Sequence, residues 1–162
     1  MKKLIVSFAL MVITLASYAQ VYKMYSTRNY HNQLRLNTMT GEVQQIQDDG
    51  QSWIVCSARE ISGDKESRFR LYETQNMWTF ILLDSYNGRL WQVQYSTQDL
   101  DNLFCIPINK DELGSDNEKC IFSIQPLTSM YQYYLINDRT GDMWKFQWST
   151  KGDDYRWIEK FK

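Results

Sequence analysis

The feature that most constrains this chain is a segment of roughly 50 residues that occurs three times, a length typical of stacked repeat units. The segments around three glycines, Gly41, Gly88 and Gly141, superpose without gaps when the copies are aligned on them. The second and third copies agree best, reading NMWTFILLDSYNGRLWQVQYST and SMYQYYLINDRTGDMWKFQWST. The first copy is more diverged and has Gln44 where the others have Trp91 and Trp144. Each copy is too small to bury its own apolar face, so the copies must pack together.

Within each copy the pattern predicts a four-stranded antiparallel meander. Trp91, Val93 and Tyr95 alternate with polar residues, which is the period of a strand buried on one face. The stretch from Trp78 to Asp84 is apolar on both faces and predicts a central strand. One further strand enters each unit and one leaves it. We predict a single all-β domain over 20–162, with repeats at about 21–58, 68–109 and 119–162.

Three meanders leave two arrangements open. A closed pseudo-threefold monomer, like a β-prism or a β-trefoil, is favoured because closure removes exposed sheet edges. The alternative is a fragment of a β-propeller that closes by oligomerising, since a propeller needs at least four blades.

The loop at the centre of each copy carries a short polar residue four positions before its glycine. Glycine supplies the positive φ that closes hairpin turns, and a short amide or carboxylate bonds the turn's own backbone. We assign structural turn roles to six residues: Asn37, Asp84, Asn137, Gly41, Gly88 and Gly141.

The first residues have the pattern of a secretory signal. Lys2 and Lys3 precede an apolar stretch from Leu4 to about Ala16, and small residues lead to a cleavage site after Ala19. The apolar stretch is shorter than the about 20 residues that cross a bilayer, and no later stretch approaches that length. The first cysteine, Cys56, lies far downstream, so no lipid anchor is expected. We predict a signal peptide at 1–19 and an exported protein, periplasmic, secreted or at the cell surface, not lipidated and without a membrane span.

Three cysteines in an oxidising compartment permit one intramolecular disulfide. Cys105 and Cys120 flank the linker Asn109 to Lys119, so we predict that they pair, with Cys56 as a buried apolar side chain. The alternative is three unpaired buried thiols. No Cys-x-x-Cys spacing or nearby histidine supports a metal site.

Charge and motifs argue against several classes of function. The 18 basic and 19 acidic residues are mixed along the chain, which disfavours nucleic-acid or anionic-membrane partners. The single histidine, His31, occupies the position of Trp78 and Tyr131 in the other copies, which favours a structural role. No nucleophile elbow, Walker loop or dinucleotide fingerprint occurs. Carboxylate pairs recur after the third strand of every copy, which is more typical of turns than of one glycosidase site. We expect no enzyme, no catalytic residue, no metal and no cofactor.

The string LYETQNMWTFILLDSYNGRLWQVQYS, with its partial echo in the third copy, resembles a repeat of small secreted proteins from gut Bacteroidota that have no assigned activity. The resemblance spans essentially the whole mature chain. It implies export and tandem β-repeats, and it brings no catalytic residues. The spacing of Asp84, Gly88 and Trp91 is also similar to hairpins in many propeller blades.

The leading functional hypothesis is an exported, non-enzymatic binding module, with glycan as the ligand class. Tryptophan and tyrosine stack on sugar faces while their polar tips hydrogen-bond. The alternative is a protein-interaction factor such as an inhibitor, an immunity protein or an assembly subunit. Because the repeated tryptophans are assigned to the core, the candidate binding residues are loop aromatics and repeated glutamines: Tyr30, Tyr86, Tyr155, Gln94 and Gln147.

Overall fold

The computed structural model describes residues 20–97, 99–115 and 121–161, which form three four-stranded antiparallel sheets. The predicted signal peptide lies outside these residues. Sheet 1 contains β1 (Tyr22–Ser26), β2 (Asn32–Asn37), β3 (Val43–Gln47) and β4 (Ser52–Cys56). Sheet 2 contains β5 (Phe69–Glu73), β6 (Thr79–Asp84), β7 (Leu90–Gln94) and β8 (Phe104–Pro107). Sheet 3 contains β9 (Phe122–Pro126), β10 (Gln132–Asn137), β11 (Met143–Gln147) and β12 (Trp157–Lys160).

Every sheet is a meander in which strands adjacent in sequence are hydrogen-bonded neighbours. The all-β class and the three four-stranded repeats predicted from the sequence are therefore confirmed. In the described ranges, helical structure is limited to α1 (Ala58–Ile61) and two single 3₁₀ turns, Leu100–Asn102 and Asp153–Tyr155. Among the residues described, no helix has both the length and the apolar character needed to cross a bilayer.

The sheets stack face to face in chain order, and two apolar layers fill the junctions between them. We call the side of a sheet that points to the next sheet along the chain its forward face, and the opposite side its backward face. The first layer joins the forward face of sheet 1 to the backward face of sheet 2, with Leu34, Leu36 and Val43 against Phe80, Leu82, Trp91 and Val93. The second joins the forward face of sheet 2 to the backward face of sheet 3, with Ile81, Leu83 and Leu90 against Tyr133, Leu135, Trp144 and Phe146. Sheet 2 is covered on both faces, as the two-sided apolar pattern of β6 predicts.

Position in the stack explains why the first copy lacks the repeated tryptophan. Trp91 and Trp144 lie on backward faces that pack against a preceding sheet. Gln44 occupies the same position on the backward face of sheet 1, which no sheet of the described chain precedes. Gln44 is half-buried there and hydrogen-bonds within its own sheet, accepting from Arg35 and donating to Ser52 at 3.0 Å.

Two clips of the same design join the sheets, and their key residues are the first residues of β5 and β9, Phe69 and Phe122. A Cβ atom added to Gly41 would lie 3.1 Å from the Phe69 ring, and one added to Gly88 would lie 3.0 Å from the Phe122 ring. The Phe69 N–H donates to the Thr38 carbonyl at 2.9 Å, and the Phe122 N–H donates to the Ser85 carbonyl at 3.0 Å. Each sheet thus begins by placing a ring on the preceding turn and bonding its backbone.

Buried glutamines make a second recurring contact across the junctions. Gln45 donates to the Ser96 carbonyl at 2.7 Å and accepts from the Ser96 N–H at 3.3 Å. Gln92 makes the same pair of bonds with Ser149, at 2.9 and 3.2 Å. The third copy has Lys145 at this position.

The central turns follow the chemistry expected of their residues. In all three copies the residue that ends the second strand accepts, through its Oδ1, a hydrogen bond of 3.0 Å from the backbone N–H two residues later. The acceptors are Asn37, Asp84 and Asn137, and the donors are Met39, Tyr86 and Arg139. The three turn glycines, Gly41, Gly88 and Gly141, have φ values of +78°, +76° and +75°. A side chain at these positions would be strained, which accounts for glycine in every copy.

The turn of sheet 2 contains a buried ion pair. Arg68 donates from Nη2 and Nε to one oxygen of Asp84, at 2.7 and 2.9 Å. Burial raises the pKa of Asp84, against the lowering effect of the Arg68 bonds and charge. In the other copies the corresponding residue pairs are apolar and amide, Val21 with Asn37 and Ile121 with Asn137. The charged residues therefore occur together or not at all.

The disulfide predicted between Cys105 and Cys120 is wrong, because Cys105 is bonded to Cys56. Cys56 ends β4 and Cys105 lies in β8, the last strands of sheets 1 and 2. Stacking brings these strands together, with the two Cα atoms 5.2 Å apart. The bridge therefore ties two neighbouring sheets rather than one linker. Cys120 lies outside the described residues.

We predict that Asp84→Asn lowers the free energy of unfolding by about 3 kcal/mol, because it keeps the turn acceptor but removes the buried carboxylate beside Arg68. The double variant Arg68→Val with Asp84→Asn reproduces the pair of the first copy and should recover most of that loss. Urea denaturation of the three proteins provides the measurement. A double variant no more stable than Asp84→Asn alone would contradict the interpretation.

Replacing both Cys56 and Cys105 by serine should lower the free energy of unfolding by about 2–4 kcal/mol, because the unfolded chain loses a long cross-linked loop. Guanidinium denaturation measures the change, and Cys120→Ser is the matched control that should leave stability unaltered. A non-reducing peptide map that joins Cys105 to Cys120 would refute the assignment.

Candidate functional site

Two sets of loops lie at one end of the three sheets, which we call the loop end. In a meander the connections alternate between the two ends of the sheet. The first-to-second strand loops (27–31, 74–78 and 127–131) therefore share an end with the third-to-fourth strand loops (48–51, 95–103 and 148–156). The glycine turns lie at the opposite end. Longer polar loops make the loop end the place to look for binding chemistry.

Two open clefts of about 490 and 470 Å³ meet at Trp78, which lines both of them. The first cleft lies on the loops of sheet 2 and includes Gln94, Asp99 and Asn102. The second lies between sheets 2 and 3, where the loop of sheet 3 adds Arg156. Both volumes fall in the range of small-ligand sites.

Neighbouring contacts fix the Trp78 ring. Its backbone N–H donates to Asn76 Oδ1 at 2.8 Å, which sets the entry into β6. Its indole packs on Tyr95 with ring centroids 5.3 Å apart. The Tyr95 hydroxyl in turn donates to the Met77 carbonyl at 2.7 Å, and burial raises the pKa of Tyr95, so the donor keeps its proton. The half-buried indole is a preorganised apolar surface.

The same pair of positions is occupied differently in the other copies. In sheet 3, Tyr131 packs on Trp148 with centroids 4.9 Å apart, and Trp148 donates to the Met130 carbonyl at 3.0 Å. In sheet 1 the pair is His31 and Asp48, with Nδ1 and Oδ2 3.0 Å apart. His31 thus replaces an aromatic contact with a polar one, and its structural role stays a prediction.

Polar groups around Trp78 are held by the loops that carry them. Gln94 donates to the Asn102 carbonyl at 3.2 Å, and Asn102 donates to Asp99 Oδ2 at 3.1 Å. In the second cleft Arg156 pairs with Asp153, and burial lowers the pKa of Arg156. Amide, carboxylate and guanidinium groups therefore flank one aromatic surface. Within the described residues, no cluster of three or more histidine, cysteine or acidic side chains is arranged to hold a metal.

The structure distributes the five predicted binding residues over different surroundings. Gln94 lines both clefts beside Trp78. Tyr30 and Tyr155 are exposed at the loop end, apart from the residues that line these two clefts. Gln147 donates to the Tyr155 carbonyl at 3.0 Å and braces that loop. Tyr86 lies at the opposite end and is only 5% exposed, so its ring offers no stacking surface.

Sequence reasoning missed Trp78 as a site residue. It placed Trp78 in the apolar central strand predicted from Trp78 to Asp84. A usable signal was present, since a ring recurs at the residue directly before the second strand in every copy. The Trp78 ring is in phase with Phe80 and Leu82 and packs against the first apolar layer, and it also lines both clefts. A ring that recurs in a loop is a candidate for binding as well as for packing.

Comparison with known proteins bears on the fold alone. No family model matches the chain, and no curated protein is significantly similar to it in sequence. Hsv2 of Kluyveromyces lactis, a β-propeller described as "complete loop 6CD", is similar in structure with a TM-score of 0.54 at 10% sequence identity. The match covers 90% of this chain and 48% of the Hsv2 chain, so this chain spans about half of that protein. The likeness favours the blade-like arrangement, which the sequence left as the alternative.

Proposed function

We propose that this protein is an exported, non-enzymatic module that binds glycans at the loop end. The observation that carries the proposal is the half-buried indole of Trp78, shared by two clefts and flanked by Gln94 and Asn102. The C–H face of a sugar ring stacks on such an indole, while its hydroxyls bond to amides and carboxylates. An aromatic platform beside fixed polar groups is what this ligand class requires.

The layout of the clefts favours an oligosaccharide over a single sugar. A ring stacked on Trp78 has one cleft on each side, and each cleft supplies its own polar groups. Asp99 lines the first cleft and Arg156 lines the second. A chain that crosses the indole therefore meets hydrogen-bonding groups over several sugar units.

The acidic residues at the loop end support binding over hydrolysis. Asp99 caps the 3₁₀ turn, accepting from the Asp101 N–H at 2.9 Å and from Asn102. Asp153 pairs with Arg156. Carboxylates used in this way hold loops in place, whereas a glycosidase needs two acids that face one bond.

We expect Trp78→Ala to weaken oligosaccharide binding by at least about tenfold, because a central aromatic contact is lost. A glycan array with neutral and acidic oligosaccharides selects the probe, and titration calorimetry with the best-bound oligosaccharide measures affinity. Tyr131→Ala is the matched control, since it removes the equivalent ring of sheet 3, which lies apart from the residues lining the clefts. Circular dichroism checks the folding of both variants.

Equal losses in the two variants would show that the indole acts through stability, and would overturn the assignment of the site. Absence of binding to every glycan on the array would count against the glycan proposal and in favour of the protein-interaction alternative.

A further inference from the structure

Two faces of the stack have no neighbouring sheet within the described chain: the backward face of sheet 1 and the forward face of sheet 3. The forward face of sheet 3 has Tyr134, Ile136 and Met143 where the inner sheets have their junction residues. Phe161 adds a ring that packs edge-on against Tyr134, with centroids 5.4 Å apart. This face is therefore built as a junction surface, and it is only partly buried.

The two free faces carry the two halves of the clip that joins the inner sheets. Tyr22 is the first residue of β1, at the position of Phe69 and Phe122, and it is 51% exposed. Gly141 matches the glycines on which those rings rest, and no described atom lies within 4 Å of a Cβ built there. The Tyr22 ring is thus at one end of the stack, and Gly141, the glycine on which such a ring would pack, is at the other.

The free faces are also complementary in charge at the position of the second contact. In the inner junctions Gln45 bonds Ser96 and Gln92 bonds Ser149. Continuing the series, the donor position of sheet 3 is Lys145, and the residue of sheet 1 equivalent to Ser96 and Ser149 is Asp49. The inner glutamines bond the backbone of the serine, so the Lys145 ammonium would donate to the Asp49 carbonyl. The exposed Asp49 carboxylate, which accepts from Gln51, places the opposite charge on the same residue, and no inner junction has such a pair of charges.

The polar residues of the sheet 1 face are compatible with contact. Arg35 bonds Gln44, and Gln44 donates to Ser52 at 3.0 Å, so this row satisfies its own hydrogen bonds. Met24 and Ile46 remain apolar at positions that are apolar in the inner junctions. The Arg35 guanidinium also lies over the Tyr22 ring, 5.2 Å from its centroid, which offsets part of the cost of covering its charge.

We propose that two copies of this chain pack head to tail and close a six-bladed ring. The forward face of sheet 3 of each copy lies on the backward face of sheet 1 of the other, so that one contact is made twice around a two-fold axis. Two copies give six sheets, within the range of four to eight blades found in propellers, whereas one copy has too few. The inference is independent of the proposed glycan binding.

Sedimentation velocity of the exported, purified protein over a range of concentrations tests the ring. The wild-type protein should be a dimer. Lys145→Asp and Asp49→Lys should each raise the dissociation constant by about a hundredfold, since each places like charges in both junctions. A mixture of the two single variants should dimerise again, because both junctions of the mixed ring then hold opposite charges.

Lys110→Asp is the matched control, since this exposed residue follows sheet 2 and lies on neither free face. It should leave the dimer intact. Recovery in the mixture separates a lost contact from a misfolded variant. A wild-type monomer at every concentration, open polymers in place of dimers, or a mixture that stays monomeric would overturn the proposal.

Discussion

The structure depends on the clip between consecutive sheets, in which the ring that begins one sheet rests on the turn glycine of the sheet before it. Phe69 on Gly41 and Phe122 on Gly88 place each new sheet in the same relation to its predecessor. The positive φ of the turn and the absence of a side chain are both needed, because a Cβ atom would meet the ring. One residue type thus shapes the hairpin and receives the next sheet. A four-stranded meander buries little surface alone, so this relation makes three of them into one fold.

The same dependence explains how the copies diverged. Residues on covered faces keep their apolar character, as with Trp91 and Trp144. On the backward face of sheet 1, where the described chain provides no preceding sheet, Gln44 replaces the tryptophan and bonds to Arg35. A second kind of change is local compensation: Arg68 and Asp84 replace an apolar and amide pair together, since either charge alone would be costly in a buried turn. The residues that differ between the copies therefore follow from what each position contacts in the stack.

The sequence predicted what depends on local periodicity, and it failed where distant segments meet. Alternation around Trp91 and the two-sided apolar pattern of β6 were enough to predict the strands and the central sheet. The partner of Cys105 depends on which strands become neighbours after stacking, and spacing along the chain contains no such information. Trp78 was overlooked for a related reason: its exposure follows from how the loops of sheets 2 and 3 open around it, while its type and position were visible beforehand.

The loop end, where we propose the glycan site, shows that equivalent positions of the three repeats differ in chemistry. The paired positions of Trp78 and Tyr95 hold two rings in sheets 2 and 3 but His31 and Asp48 in sheet 1. The two side chains are thus in contact in all three sheets, but the contact is aromatic in sheets 2 and 3 and polar in sheet 1. Tyr131 makes the equivalent aromatic contact in sheet 3, but it does not line either of the two clefts that meet at Trp78. The polar groups of both clefts lie around Trp78 and not around Tyr131. On such a fold the loops around a repeated ring determine whether that ring can bind a ligand. A single binding position at Trp78 is therefore compatible with three copies of the same sheet.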